Sequence, residues 1–163
     1  MRFIIHAGRH KTGTTFLQKF FARNQAALLG EYGILYPLTG RGRQHYHHRF
    51  FEALLFDRGD YSPLVSQLTE EVEHTNPSCV LMSSEILSRS QVTELHLRAL
   101  RRRLPYCPEL LFYLRRQDEY LCSLYAEHVK KRLLAHPRSI WDIEQKAELD
   151  YEAFLAPYTE VFR

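Results

Sequence analysis

Arg2-Phe3-Ile4-Ile5-His6-Ala7-Gly8-Arg9-His10-Lys11-Thr12-Gly13-Thr14-Thr15 is the stretch that decides the fold. Phe3-Ile4-Ile5 is a short apolar run of the kind a parallel sheet buries on both faces. Gly8 and Gly13 bracket the turn that follows. From Thr14 the residues Phe16, Leu17, Phe20, Phe21 and Leu28 recur mostly at spacings of three and four. That predicts a helix with Phe16, Phe20 and Phe21 on its core face, ending near Gly30 and Gly33. Strand, glycine turn and helix form the opening unit of an α/β domain.

The pattern continues outward. Ile34-Leu35-Tyr36 predicts a second short strand, closed by Pro37. Helices are expected over 45–56 and 62–74, the second stopped by Asn76-Pro77. Cys79-Val80-Leu81-Met82 predicts the third strand, 91–103 a helix with a basic end, and Leu110-Leu111-Phe112-Tyr113-Leu114 the fourth and most apolar strand. Helices over 118–134 and 151–162 complete the chain. Alternating strands and helices imply crossover connections, hence one α/β domain over 1–163 with a central, mainly parallel sheet and helices on both faces.

Composition agrees with one globular domain. The chain has 163 residues, 45% of them hydrophobic and 25% charged, which excludes a disordered chain. A net charge of +3 does not argue for a nucleic-acid binder, although it leaves room for a local anion site. Cys79, Cys107 and Cys122 lie far apart and form no disulfide framework, which favours a reducing, cytoplasmic compartment. No apolar run reaches the roughly 18 residues of a membrane span, and no signal-peptide pattern precedes Phe3.

The glycine turn carries the chemistry. Glycines let the backbone approach a ligand, and the helix start at Thr14-Thr15 offers unpaired N–H groups at the positive end of the dipole. Lys11 adds a charge, and the threonine hydroxyls add donors. A strict nucleotide P-loop, GxxxxGK[ST], would place lysine directly after the second glycine; here Lys11 precedes Gly13. The turn is an anion cradle of another type. Lys11-Thr12-Gly13-Thr14-Thr15 resembles the 5′-phosphosulfate loop of sulfotransferases that use 3′-phosphoadenosine 5′-phosphosulfate (PAPS). The wider run, with Leu17-Gln18, Asn24 and Gly33-Ile34-Leu35-Tyr36-Pro37, resembles bacterial members of that family.

A second anchor follows the fourth strand. Arg115 stands at the strand's C-terminal end, where open α/β sheets bind ligands, and Ser123 lies eight residues on. An arginine fork and a hydroxyl suit a phosphate monoester. The family binds the 3′-phosphate of PAPS with an Arg and a Ser at this spacing, so the resemblance assigns that role to Arg115 and Ser123. Its common Arg-Asn-Pro run is replaced by Arg116-Gln117-Asp118, as in many bacterial members.

The resemblance implies a three-layer, P-loop NTPase-like α/β fold and sulfuryl transfer from PAPS to a hydroxyl or amine, carbohydrate among the candidate acceptors, by in-line displacement. No metal site is expected, because Lys11 can neutralise the bridging oxygen. Two sources of a catalytic base stand out. Glu85 closes Met82-Ser83-Ser84-Glu85 at the end of the third strand, where relatives carry a His or a Glu. The other is His45-Tyr46-His47-His48, with His47 and His48 as candidates; a polar helix start on the surface is the plain reading of that cluster. Arg98, Arg101, Arg102 and Arg103 read as a solvated helix face, and Trp141 and Tyr151 as core. His6 is expected to point into the strand's packing.

Two rival readings are an ATP-using kinase-like enzyme and a nucleotide-binding remnant without turnover. Family domains run well beyond this length and carry a basic, glycine-containing segment over the 3′-phosphate. The stretch 141–163 holds no glycine, so the resemblance implies a missing C-terminal part or a partner chain.

Overall fold

A computed structural model describes residues 1–42, 45–57, 59–130 and 149–163. Four strands form one all-parallel sheet: β1 (Arg2–His6), β2 (Ile34–Leu35), β3 (Cys79–Ser83) and β4 (Glu109–Leu111), in the order β2-β3-β1-β4. The helices are α1 (Thr14–Arg23), α2 (Gln25–Tyr32), α3 (His48–Phe56), α4 (Ser62–Thr75), α5 (Glu94–Arg103), α6 (Gln117–Lys130) and α7 (Tyr151–Val161), with a 3₁₀ turn at Glu85–Ser88. The chain is therefore an α/β domain whose parallel sheet is flanked by helices. Among the described residues no helix is long and apolar enough to cross a membrane. Cys79, Cys107 and Cys122 are free thiols.

Register explains the layers. Side chains alternate along a strand, so residues paired across strands share a face. Leu35, Val80 and Phe3 form one apolar row, and Met82, Ile5 and Leu110 form the next on the same face. These rows meet Phe50, Phe51, Leu54 and Leu55 of α3, Leu68 and Val72 of α4 and Leu100 of α5 in the main core. A smaller cluster of Leu97, Tyr158 and Val161 seats α7 against α5.

The opposite face ends in a different row: Ser83, His6 and Leu111. Ser83 and His6 are polar and almost fully buried. Gln18 of α1 donates from Nε2 to Ser83 Oγ at 3.1 Å, and His6 Nδ1 lies 2.8 Å from the same oxygen. The inward stripe of α1 is consequently Thr14 and Gln18, four residues apart. This corrects the expectation for its phenylalanines. Phe16 is 73% exposed and Phe20 46%, while Phe21 packs its ring 5.5 Å from that of Tyr36. The expected single helix is also two, because Asn24 ends α1 and its Nδ2 donates to the Phe20 carbonyl at 2.8 Å.

Other boundaries shift by a few residues. The helix expected from 45 begins at His48, the one expected from 91 begins at Glu94, and regular pairing in β4 covers Glu109–Leu111 only. Among the described residues β4 has one neighbour, β1, so the most apolar segment is an edge there, with Leu111, Tyr113 and Leu114 over 40% exposed. The basic run of α5 is not simply a solvated face. Arg98 pairs with Glu94, Arg101 donates to the Val161 carbonyl, and Arg103 donates to the Leu54 carbonyl at 2.6 Å and pairs with Asp57. Arg101 and Arg103 staple α5 to α7 and α3, while the Arg98 pair stays within α5. Trp141 and the end of the expected 118–134 helix lie outside the described residues.

Candidate functional site

The loop over 11–15, Glu85 and Arg115 follow the C-terminal ends of β1, β3 and β4, the edge at which parallel α/β sheets bind ligands. The turn after β1 is shaped by its glycines. A Cβ on Gly8 would lie 2.3 Å from Thr14 Cγ2 and 3.0 Å from His6 Nε2, so only glycine fits the turn against the helix start. Gly13 caps α1 in the left-handed conformation (φ 84°) with open space above it. Lys11 also has positive φ (67°), a conformation that costs a side-chain-bearing residue energy and clusters at binding loops. Thr12 Oγ1 donates to the Arg9 carbonyl at 2.6 Å and closes the turn on itself. Ser88 Oγ lies 2.7 Å from the Gly8 carbonyl and 2.9 Å from that of Glu85, tying the turn to the 3₁₀ segment after β3.

Arg9 points away from the cradle. It is almost fully buried, with its guanidinium 4.9, 5.2 and 4.6 Å from the ring centroids of Tyr120, Tyr151 and Phe154. Each such contact is worth about 0.5–2 kcal/mol. Tyr151, expected in the core, is half-buried; its hydroxyl donates to the Arg115 carbonyl at 2.6 Å. Helix α7 thus braces both the turn after β1 and the segment after β4.

Two cavities open on this edge and share Lys11 and Gly13. One, of about 280 Å³, is lined by Lys11, Thr12, Gly13, Tyr113, Leu114 and Arg115. The other, of about 220 Å³, is lined by His10, Lys11, Gly13, Thr14, Thr15, Glu85 and Glu127. Every residue of the sequence-expected loop therefore borders one cavity or both, with Arg115 on one flank and Glu85 on the other. Ser123 is half-buried on α6 and lines neither.

The charges are held in pairs. Lys11 Nζ is 2.9 Å from Glu127 Oε2, His10 Nδ1 is 2.7 Å from Glu85 Oε2, and Arg115 Nε is 3.0 Å from Glu119 Oε2. Arg115 also reaches the Lys11 carbonyl at 3.4 Å. An anion entering beside Lys11 and Arg115 exchanges partly exposed side-chain carboxylates for its own oxygens, at a cost of at most about 1 kcal/mol per pair. His10 and Glu127 were not singled out as partners in the sequence. The first stands next to Lys11, but Glu127 is 116 residues away, on the second half of α6, and only the fold brings it near.

The histidine cluster is not a surface feature. His47 is fully buried, and both ring nitrogens are used: Nε2 lies 3.0 Å from the Pro37 carbonyl, and Nδ1 accepts the Ser83 N–H at 3.1 Å. Its backbone N–H donates to the Ser83 carbonyl as well. His47 is a clasp between the loop after β2 and the end of β3, with no nitrogen left for a substrate proton. Burial pushes it down to about 4, chiefly by desolvation. His48 Nδ1 lies 2.9 Å from Ser84 Oγ, its ring stacks on Tyr46 at 3.7 Å, and burial pushes it to about 4 too. Ser84 caps the 3₁₀ turn by accepting the Ile86 N–H, which leaves Glu85 free to face the loop. His6 lies in the packing as expected, edge-on to Tyr113 at 5.3 Å, and burial lowers its pKa against the pull of Glu85.

The His47 clasp makes stability pH-dependent. In the unfolded chain its pKa returns to about 6.5, so between 6.5 and about 4 the unfolded state binds more protons. Stability is full above pH 6.5 and is lost as pH falls towards 4, by an amount on the order of 3 kcal/mol for His47, with His48 acting in the same direction. Urea unfolding midpoints should fall between pH 7 and pH 5, and His47→Asn should be less stable at pH 7 with a flatter profile. A midpoint independent of pH in the wild type over that window contradicts the buried neutral clasp.

In comparisons with protein-family models, curated proteins and solved structures, nothing matches this chain.

Proposed function

We propose that this domain is a P-loop-like sulfotransferase that moves a sulfuryl group from PAPS to a hydroxyl or amine. The observation that carries the reading is the pair of cavities meeting at Lys11 and Gly13, with Arg115 in the lining of one and Glu85 in the lining of the other. An in-line transfer needs this order: a nucleotide side, a cationic centre, and an acceptor side with a proton acceptor.

The residues fit the cofactor's two anionic ends. Gly13 leaves open space over the start of α1, where the Thr14 and Thr15 N–H groups precede the first full helical bonds. Lys11 supplies charge there, and Arg115, lining the same cavity, supplies a fork for a 3′-phosphate. When bound, PAPS supplies the sulfuryl group and a phosphate leaving oxygen. The chain's own part is to hold Lys11 against developing negative charge, orient an acceptor hydroxyl at Glu85 and receive its proton on that carboxylate. His10, 2.7 Å from Glu85 Oε2, fixes the carboxylate's direction. His48 is the weaker base candidate, because a ring held neutral down to about 4 accepts protons poorly at pH 7.

Calorimetry tests the nucleotide side. 3′-Phosphoadenosine 5′-phosphate should bind, and ATP should bind much more weakly or not at all. Arg115→Ala should weaken 3′-phosphoadenosine 5′-phosphate by about 1.5–3 kcal/mol while hardly changing adenosine 5′-phosphosulfate, which lacks the 3′-phosphate. Equal losses for both ligands would mean that Arg115 acts through its contact with the Lys11 carbonyl instead. Tighter binding of ATP would replace the reading with a kinase-like one.

A further inference from the structure

A third cavity, of about 500 Å³, lies on the other flank of the loop from Arg115, between the loop, the segment after the 3₁₀ turn and α6. Its wall carries Arg9, His10, Arg89 and His128, with the polar side chains of Ser90 and Gln91. Among the described residues that line it there is no carboxylate. Two carboxylates outside the lining pair with its cations: Glu52 of α3 lies 3.6 Å from Arg89, and Glu85 meets the Nδ1 edge of His10. His128 Nδ1 is buried and has no hydrogen-bond partner among the described residues.

Buried polar atoms ordinarily find partners, so an orphan nitrogen in a cationic wall points to a ligand that brings its own acceptor oxygens or hydroxyls. Permanently charged guanidiniums in a concave, partly desolvated site act on an anion more strongly than they do on an open surface. The volume is within the roughly 300–1,000 Å³ range of small-molecule sites. It is therefore large enough for a sugar-sized ring and not only for an inorganic ion.

Position decides what the ligand is. His10 lines both this cavity and the one that contains Glu85. A molecule anchored at Arg89 and His128 thus extends past His10 towards Glu85, on the acceptor side of Lys11. We infer that the cavity is a subsite for an anionic substituent of the acceptor, so that the preferred acceptor is an alcohol bearing a carboxylate or sulfate ester a few bonds from the reacting hydroxyl. The inference rests on the sulfotransferase reading for the word acceptor, but not for the anion site itself.

The test uses the full chain and calorimetry, with and without 3′-phosphoadenosine 5′-phosphate. The probes are N-acetylglucosamine 6-sulfate against N-acetylglucosamine, and glucuronate against glucose, which separate sulfate from carboxylate. At least one anionic sugar should bind about tenfold or more tighter than its neutral counterpart. Arg89→Gln, at a partly exposed side chain, should abolish that preference while keeping nucleotide affinity within about twofold. His128→Gln should reduce the preference, and serves as the second variant if Arg89→Gln unfolds.

Equal binding of charged and neutral sugars overturns the inference, as does a preference that survives both substitutions. An Arg89-dependent preference in a chain that binds no 3′-phosphoadenosine 5′-phosphate keeps the anion site and overturns the PAPS reading. Nucleotide binding without any preference does the reverse.

Discussion

Lys11→Ala is expected to lower sulfuryl turnover at least about 100-fold, or about 2.7 kcal/mol of transition-state stabilisation, the usual loss for one preorganised donor. Among the described residues Lys11 is the one cation that borders both cavities on the loop, so on the proposed reading no described neighbour would substitute for it where charge develops. The substitution also releases Glu127, whose Oε2 sits 2.9 Å from Lys11 Nζ, and a freed carboxylate would itself repel the cofactor. The double variant Lys11→Ala/Glu127→Gln separates the effects. If the lysine acts directly, removing the carboxylate restores little; if repulsion dominates, most of the rate returns. Single-variant turnover within about threefold of the wild type would sink the role assigned to this loop.

Glu85→Gln should cut kcat by roughly 100-fold or more while leaving nucleotide affinity nearly intact, since a base contributes to chemistry and not to cofactor binding. Glutamine keeps the shape of the side chain and an oxygen for the contact with His10, but cannot take a proton. The comparison is His48→Ala, which should keep kcat within about tenfold. His47 is unsuited to the comparison because its ring joins Pro37 to Ser83, so its loss is read in stability. An active Glu85→Gln beside a dead His48→Ala reverses the assignment.

The order of strands and helices was legible because periodicity and glycine are local signals. The first strand, its turn and the start of α1 follow from Phe3 to Thr14 alone. What periodicity could not report was which stripe of α1 faces the sheet. It showed phenylalanines at helical spacing, but the row beneath them is Ser83 and His6, so the polar stripe of Thr14 and Gln18 turns inward. The same limit hid His47. A histidine among histidines reads as surface, and its burial depends on two backbone groups, at Pro37 and Ser83, that the fold alone supplies. Loop residues and Arg115 could be placed because strand ends converge on one edge of a parallel sheet. Glu127 could not, since the approach of one helix turn to a distant lysine leaves no local trace.

The aromatic setting of Arg9 has a consequence for biosynthesis. Tyr151 and Phe154 lie far along the chain from the turn they help to hold, and Tyr151 also supports the backbone at Arg115. Long-range contacts of this kind form late, because the intervening chain must first be closed into a loop. A nascent chain that has emerged only as far as α6 has its sheet strands and its glycine turn, but neither is yet fastened by α7. The glycine turn and the backbone at Arg115 are therefore fastened together in the step that docks α7, later than the turn itself is made.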